Sequence, residues 1–206
     1  MTRQKQIDGL AEIGVDFAGF IFYKQSARYA LHHLTKAKIR RENRLKKVGV
    51  FVNENENDVL RIIDECRLDL VQLHGDESPK YCESIAEYVA VIKAFRISDD
   101  DAIEWNMRAY MEACDMFMFD TMGAGYGGTG KKFNWKLLSG EAIEKMFFLS
   151  GGIEPDDVNA LHEFENSAAA KNLFAVDINS RFEIRPGVKD MEKVNRFVKA
   201  LNKSNG

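Results

Sequence analysis

Asp120 closes a short apolar run, Met116 to Phe119, and is followed by five glycines, Gly123, Gly125, Gly127, Gly128 and Gly130, with Thr129 among them. A carboxyl group delivered to the C-terminal end of a buried strand can give or take a proton beside a bound substrate. Glycines let backbone N–H groups close on an anion. The same pairing of types recurs along the chain. Ser150, Gly151 and Gly152 follow the apolar MFFL run, and Asp177, Asn179 and Ser180 sit at and after the end of LFAV. Arg28 follows FIFY, Gln72 and His74 follow DLV, and Arg96 follows VIKAF. Glycine-rich turns after the last two strands of a barrel, backed by a helix dipole, are where such folds hold phosphate. Gly151, Gly152, Asn179 and Ser180 are therefore candidate phosphate-binding residues, Gly128 is one as part of the glycine-rich loop, and Asp120 is the candidate acid–base group. No nucleotide P-loop, zinc-ligand spacing or Ser-His-Asp order is present. The residues point to an enzyme acting on a small phosphorylated substrate, with no metal.

The elements that must carry these residues alternate. Strands are expected at Asp16–Tyr23, Lys47–Val52, Leu68–Leu73, Ala90–Phe95, Met116–Phe119, Met146–Ser150 and Leu173–Ile178. Helices are expected at Thr2–Gly14, Leu34–Glu42, Asn53–Cys66, from Pro79 with Ser78 as its cap, at Asp99–Met111, Trp135–Ser139, Pro155–Phe164 and Asp190–Leu201. The strands are nearly continuous apolar runs, as in a parallel sheet covered by helices. About seven strands and eight helices, with a helix first, suggest a (β/α)8 TIM barrel from which the first β-strand is missing. A doubly wound open sheet is the other arrangement this alternation allows. No linker or low-complexity segment interrupts the chain, so residues 1–206 are expected to form a single (β/α)-barrel domain.

Bulk properties narrow the partners. The net charge is -3, with both signs interspersed, which gives no general pull toward nucleic acid or an anionic membrane. No apolar run approaches the roughly 20 residues that span a bilayer. The three cysteines, Cys66, Cys82 and Cys114, follow no disulfide or zinc pattern and suggest buried thiols in a reducing, cytoplasmic setting.

With these segments in hand, the chain closely resembles the phosphoribosylanthranilate isomerase family of tryptophan biosynthesis. The matching segments are GFIFYKQSARY (19–29), VGVFVN (48–53), VQLHGDE (71–77), FDT with GGTGKKFNW (119–121 and 127–135), LSGGI (149–153) and VDINSRFEIRPGVKD (176–190). The resemblance implies a (β/α)8 barrel and a cofactor-free Amadori rearrangement. In that reaction N-(5-phosphoribosyl)anthranilate becomes 1-(2-carboxyphenylamino)-1-deoxyribulose 5-phosphate. Asp120 matches the family's general acid, and Arg28 matches the residue expected to hold the anthranilate carboxylate. Gln72 and His74 match rim residues of the pocket. The phosphate candidates fall in the family's phosphate loops, to which the resemblance adds Asp177. The expected partner is the phosphorylated small molecule, with the protein a monomer or homodimer.

The resemblance also implies a general base that this sequence does not show. Family members open with a strand bearing a K-x-C-G motif whose Cys removes the C2 proton. Met1 stands where that motif should be ending, so the expectation is a start at an internal methionine, a barrel short of one strand and negligible turnover. Asn134 and Arg181 are smaller departures, at positions where the family has Asp and Gly. Two other readings stay open: another phosphate-binding barrel enzyme, similar to indoleglycerol-phosphate synthase, or a non-catalytic barrel that binds phosphorylated ligands.

Overall fold

The computed structural model describes residues 1–97, 107–121, 135, 138 and 143–203. The glycine-rich loop with Gly128, the Asn134 position, and most of the Asp99–Met111 and Trp135–Ser139 helices lie outside these residues. Seven strands form one sheet, all parallel and in chain order. They are β1 (Phe17–Ile21), β2 (Lys46–Phe51), β3 (Leu70–Leu73), β4 (Ala90–Ile97), β5 (Met116–Thr121), β6 (Phe147–Leu149) and β7 (Leu173–Val176). Parallel neighbours need a crossover between them. Four of the intervening segments are helical: α2 (Lys36–Arg41), α3 (Glu56–Cys66), α4 (Pro79–Ala86) and α5 (Val158–Glu165). Two further helices, α1 (Gln4–Glu12) and α6 (Met191–Asn202), lie at the two ends of the chain. Among the described residues, no helix is long and apolar enough to cross a membrane.

Side chains alternate across each strand, and the two faces meet different partners. One face packs against the helices, with Phe20, Phe51, Leu73, Phe117 and Phe147 fully buried in that layer. The other face turns inward. Val48 of β2, Leu70 of β3, Ile92 of β4, Met118 of β5 and Phe148 of β6 form one buried cluster, with Phe17 of β1 and Ala175 of β7 packed on it. A flat sheet cannot gather side chains from all seven strands, so the sheet is curled into a barrel. Phe17 and Phe174 bring the first and seventh strands together, their ring centroids 5.9 Å apart, with Phe148 at 5.5 Å from both. The fold is the (β/α)8 barrel expected from the sequence, lacking one strand between β1 and β7 among the described residues.

Helix ends follow local chemistry. Ser78 accepts from the Tyr81 N–H and Pro79 takes the first helical position of α4. Asp190 caps α6 through the Lys193 N–H at 3.0 Å. α5 departs from expectation. It begins at Val158 rather than Pro155, because the Asp157 carboxylate accepts from the Glu154 N–H at 2.9 Å and closes a turn there. A two-stranded antiparallel hairpin, β8 (Glu183–Arg185) and β9 (Val188–Lys189), was not expected. It is tied to α1 by Gln6, whose amide donates to the Lys189 carbonyl at 2.6 Å and accepts from its N–H at 3.1 Å.

One buried ion pair fixes the loop after β3. Lys93 on β4 reaches the Gly75 carbonyl at 2.7 Å, the Leu73 carbonyl at 3.3 Å and the Glu77 carboxylate at 3.0 Å. Glu77 also accepts from the N–H groups of Asn53 and Gly75, each at 2.9 Å. Both side chains are almost wholly buried. Removing the cation alone strands a buried carboxylate. Lys93→Met is therefore expected to lower unfolding free energy by about 3–5 kcal/mol in urea titrations. The double replacement Lys93→Met with Glu77→Gln should recover a substantial part of that loss.

Candidate active site

Because the strands run one way, their C-terminal ends share a rim. On β3, Gln72 points inward and is buried, and His74 follows the strand while its N–H still donates to the Phe51 carbonyl at 2.9 Å. On β5, Asp120 is 8% exposed and lies in register with Arg96 of β4. Arg96 itself pairs with Asp76 at 2.5 Å on the outer edge of the rim. The His74 Nε2 stands 3.3 Å from the Asp120 Oδ2, and the Gln72 Nε2 stands 2.7 Å from the His74 Nδ1. Three residues placed on one rim by sequence reasoning thus form a continuous line, Gln72–His74–Asp120.

The opposite wall is built from the ends of β6 and β7. Gly151 and Gly152 have φ of 90° and 70°, a left-handed pair that glycine adopts without a Cβ penalty. Successive residues of this kind turn backbone N–H groups toward one concavity. Among the described residues, the N–H groups of Gly151, Gly152, Asn179 and Ser180 meet no protein acceptor. Ser150 donates its hydroxyl to the Asp177 Oδ2 at 3.1 Å, which ties the two turns together. Arg181 pairs with Glu154 at 3.3 Å, so this departure from the family pattern makes a second tie between the same loops.

Arg28, in the loop after β1, meets a partner that sequence reasoning missed. Its Nε and Nη2 reach the Glu183 carboxylate at 2.9 and 2.8 Å. This fork leaves Nη1 without a protein acceptor among the described residues and open to a second carboxylate. Lys189 was missed as well. Its ammonium donates to the Asn179 carbonyl at 3.0 Å and side-chain oxygen at 2.8 Å, and lies 3.5 Å from Glu183. The available signal was the Pro186-Gly187 turn, which sets Glu183 and Lys189 on its two sides.

These walls border a cavity of about 530 Å³, with Arg28, Gln72, His74 and Asp120 on one side and Gly151, Gly152, Asp177, Asn179 and Ser180 on the other; it continues away from the rim to Leu10 of α1 and to Val194, Phe197 and Leu201 of α6. Phe17, Val48 and Phe148 form its apolar floor. A site of this shape can seat a small molecule with an anion at one end, a flat apolar body and a proton donor between. Burial pushes the Asp177 carboxyl above its ordinary 3.8, with the Asp120 charge adding, while Lys189 and the Ser150 hydroxyl pull the other way. Burial also holds the Lys189 ammonium below its usual range, opposed by Glu183 and Asp177. The cysteines lie elsewhere, in the layer between sheet and helices. Burial raises Cys66 and Cys114 to about 11 and Cys82 to about 12. Among the described residues, no group of three His, Cys, Asp or Glu is placed to hold a metal ion.

A family model described as PRAI, N-(5'phosphoribosyl)anthranilate (PRA) isomerase, matches residues 1–200. The chain belongs to the phosphoribosylanthranilate isomerase family. An N-(5'-phosphoribosyl)anthranilate isomerase of Parabacteroides distasonis is 37% identical over 204 residues, covering 98% of this chain and 90% of that protein. One from Thermotoga neapolitana is 38% identical over 190 residues, 91% and 88% of the two chains. The crystal structure of the Thermotoga maritima phosphoribosyl anthranilate isomerase superposes with a TM-score of 0.83 at 32% identity, covering 98% of this chain and 95% of that one. A further structure of the family, at 30% identity and TM-score 0.80 over 98% and 95%, holds reduced 1-(o-carboxyphenylamino)-1-deoxyribulose 5-phosphate.

Within this family fold, the raised Asp177 carboxyl has a stability consequence. The folded chain binds that proton more tightly than the unfolded chain does. Its contribution is present below pH 3.8 and is lost as pH rises through the folded value. Asp177→Asn keeps an acceptor for Ser150 and removes the titration. Urea midpoints of the variant should match the parent near pH 4 and move above it toward pH 7.

Proposed function

We propose that this chain binds N-(5-phosphoribosyl)anthranilate in the rim cavity and that Asp120 is the general acid of its Amadori rearrangement, a step of tryptophan biosynthesis. The observation that carries the reading is the joint opening of Asp120, the Arg28 guanidinium and the Gly151–Gly152 and Asn179–Ser180 turns onto one cavity. The free N–H groups suit the phosphate, and the outer edge of Arg28 suits the anthranilate carboxylate. The apolar floor suits the aromatic ring. This places the furanose near Asp120. Protonation of the ring oxygen by the Asp120 carboxyl lets the C1–O bond break, and the anthranilate nitrogen lone pair forms the Schiff base. Loss of the C2 proton to a base gives the enolamine, which takes a proton at C1 as the ketone forms. Nothing in this sequence of proton transfers calls for a cofactor. We read residues 1–206 as one barrel unit, cytoplasmic, and a monomer or homodimer.

The base for C2 is the weak point, and it favours a second reading, binding without turnover. A thiolate base needs an accessible, acidified cysteine. Cys66, Cys82 and Cys114 are buried in the outer layer with raised pKa values, and none borders the cavity. Fluorescence titration with the reduced product analogue should therefore show saturable 1:1 binding while turnover by the same chain stays at background. Arg28→Met should weaken that binding at least about tenfold, the cost of a lost charge-assisted pair. When a strand ending in Cys-Gly is appended ahead of Met1, turnover should appear. In that active form Asp120→Asn should lower kcat by about 10²-fold or more with the analogue's affinity little changed. Robust turnover by residues 1–206 alone would overturn the binding-only reading, and full kcat in the Asn variant would remove Asp120 as the acid.

A further inference from the structure

We propose that Gln72 is a positioning residue whose carboxamide N–H donates to the His74 Nδ1 and thereby aims the His74 Nε2–H at Asp120. The geometry is a line of two contacts, 2.7 Å from Gln72 Nε2 to His74 Nδ1 and 3.3 Å from His74 Nε2 to Asp120 Oδ2. A neutral imidazole carries one N–H, and the hydrogen bond at one nitrogen decides which nitrogen keeps it. With Nδ1 serving as acceptor, the proton sits on Nε2 and faces the carboxylate. Gln72 can impose this because it cannot wander: it lies within β3, in register with Val50 and Ile92, and is 6% exposed. The backbone that carries the ring is held as well, since the Lys93–Glu77 pair clamps the loop that begins at His74.

The arrangement engages one Asp120 oxygen with the ring and fixes the direction of the carboxyl group. That matters for catalysis only through the reading of Asp120 as the acid, on which this consequence rests; the tautomer itself does not depend on it. A carboxylate at position 72 would oppose the arrangement. It accepts but cannot donate, so it would draw the proton toward Nδ1 in competition with Asp120 at Nε2. Glutamine at this buried inward position is thus distinguished from an acid of equal size by the N–H it offers.

Long-range ¹H–¹⁵N correlation spectra of the ¹⁵N-labelled chain, recorded where the imidazole is neutral, report the tautomer without turnover. The chain should show His74 as the Nε2–H form. In the Asp120→Asn background, where no carboxylate faces Nε2, Gln72→Glu should move the proton to Nδ1, and Gln72→Met, which keeps the shape, should give a mixture of the two forms. Asp120→Asn should leave the Nε2–H form in place, because the selection comes from Gln72. A parent chain with His74 as Nδ1–H, a Gln72→Glu spectrum in that background unchanged from Asp120→Asn alone, or a switch of tautomer on Asp120→Asn would each overturn the proposal. The parent and Asp120→Asn measurements decide it even where a position-72 variant fails to fold. Failure here is separable from failure of the proposed reaction, since no substrate is used.

Discussion

The site exists because a sheet whose strands all run one way curls until aromatic side chains of its first and seventh strands touch across the unpaired gap between them. Parallel pairing puts every strand's C-terminal end on the same rim, and curling turns that rim into a ring. The contacts of Phe17 with Phe148 and Phe174 mark the seam. Without that closure, Asp120 on β5 and the turns after β6 and β7 would spread along a flat edge. A small ligand could not reach Arg28 after β1 and Ser180 after β7 together. The apolar cluster inside the barrel sets the floor of the cavity and the spacing of its walls.

The rim then has to hold opposite charges close together away from water. Asp120, Asp177 and Glu183 stand against Arg28 and Lys189, and each of these five borders the cavity. Glu183 engages both cations, so neither is left as an isolated buried charge. Asp177 does less well. Its Ser150 bond and the nearby Lys189 do not offset burial beside Asp120, which is why its carboxyl keeps its proton more tightly than usual. Strain of this kind is common where a site is shaped for a ligand rather than for the empty fold.

The strand ends could be read from the sequence because each is an apolar run that stops at a polar residue, as at Phe119–Asp120 and Val176–Asp177. The seven strands and the rim residues Gln72, His74, Asp120 and Gly152 followed from that pattern. The ion pair of Arg28 with Glu183 did not, because the residues are 155 positions apart and only the ring closure brings them together. The start of α5 was misplaced for a local reason. Asp156 and Asp157 look like first-turn acids attracted by the helix dipole, but the Asp157 carboxylate is engaged by the Glu154 N–H in the turn before the helix. The hairpin of β8 and β9 escaped because its strands are three and two residues long, too short for alternation to register.

Among the described residues, backbone rather than lysine is the donor left open at the turns proposed to hold the phosphate. The Lys189 ammonium lies at the Asn179–Ser180 turn, yet its protons go to Asn179 and Glu183. It braces that turn at the cavity's border, with its protons already engaged. What remains in front are the N–H groups of Gly151, Gly152, Asn179 and Ser180, fixed in direction by the chain itself. Such donors lose no side-chain entropy on binding and hold an anion at a set position. A flexible lysine would attract the same anion with less control over where its far end lies. Asp120, proposed as the proton donor, sits on the opposite wall, so that control would register the rest of a bound molecule against it.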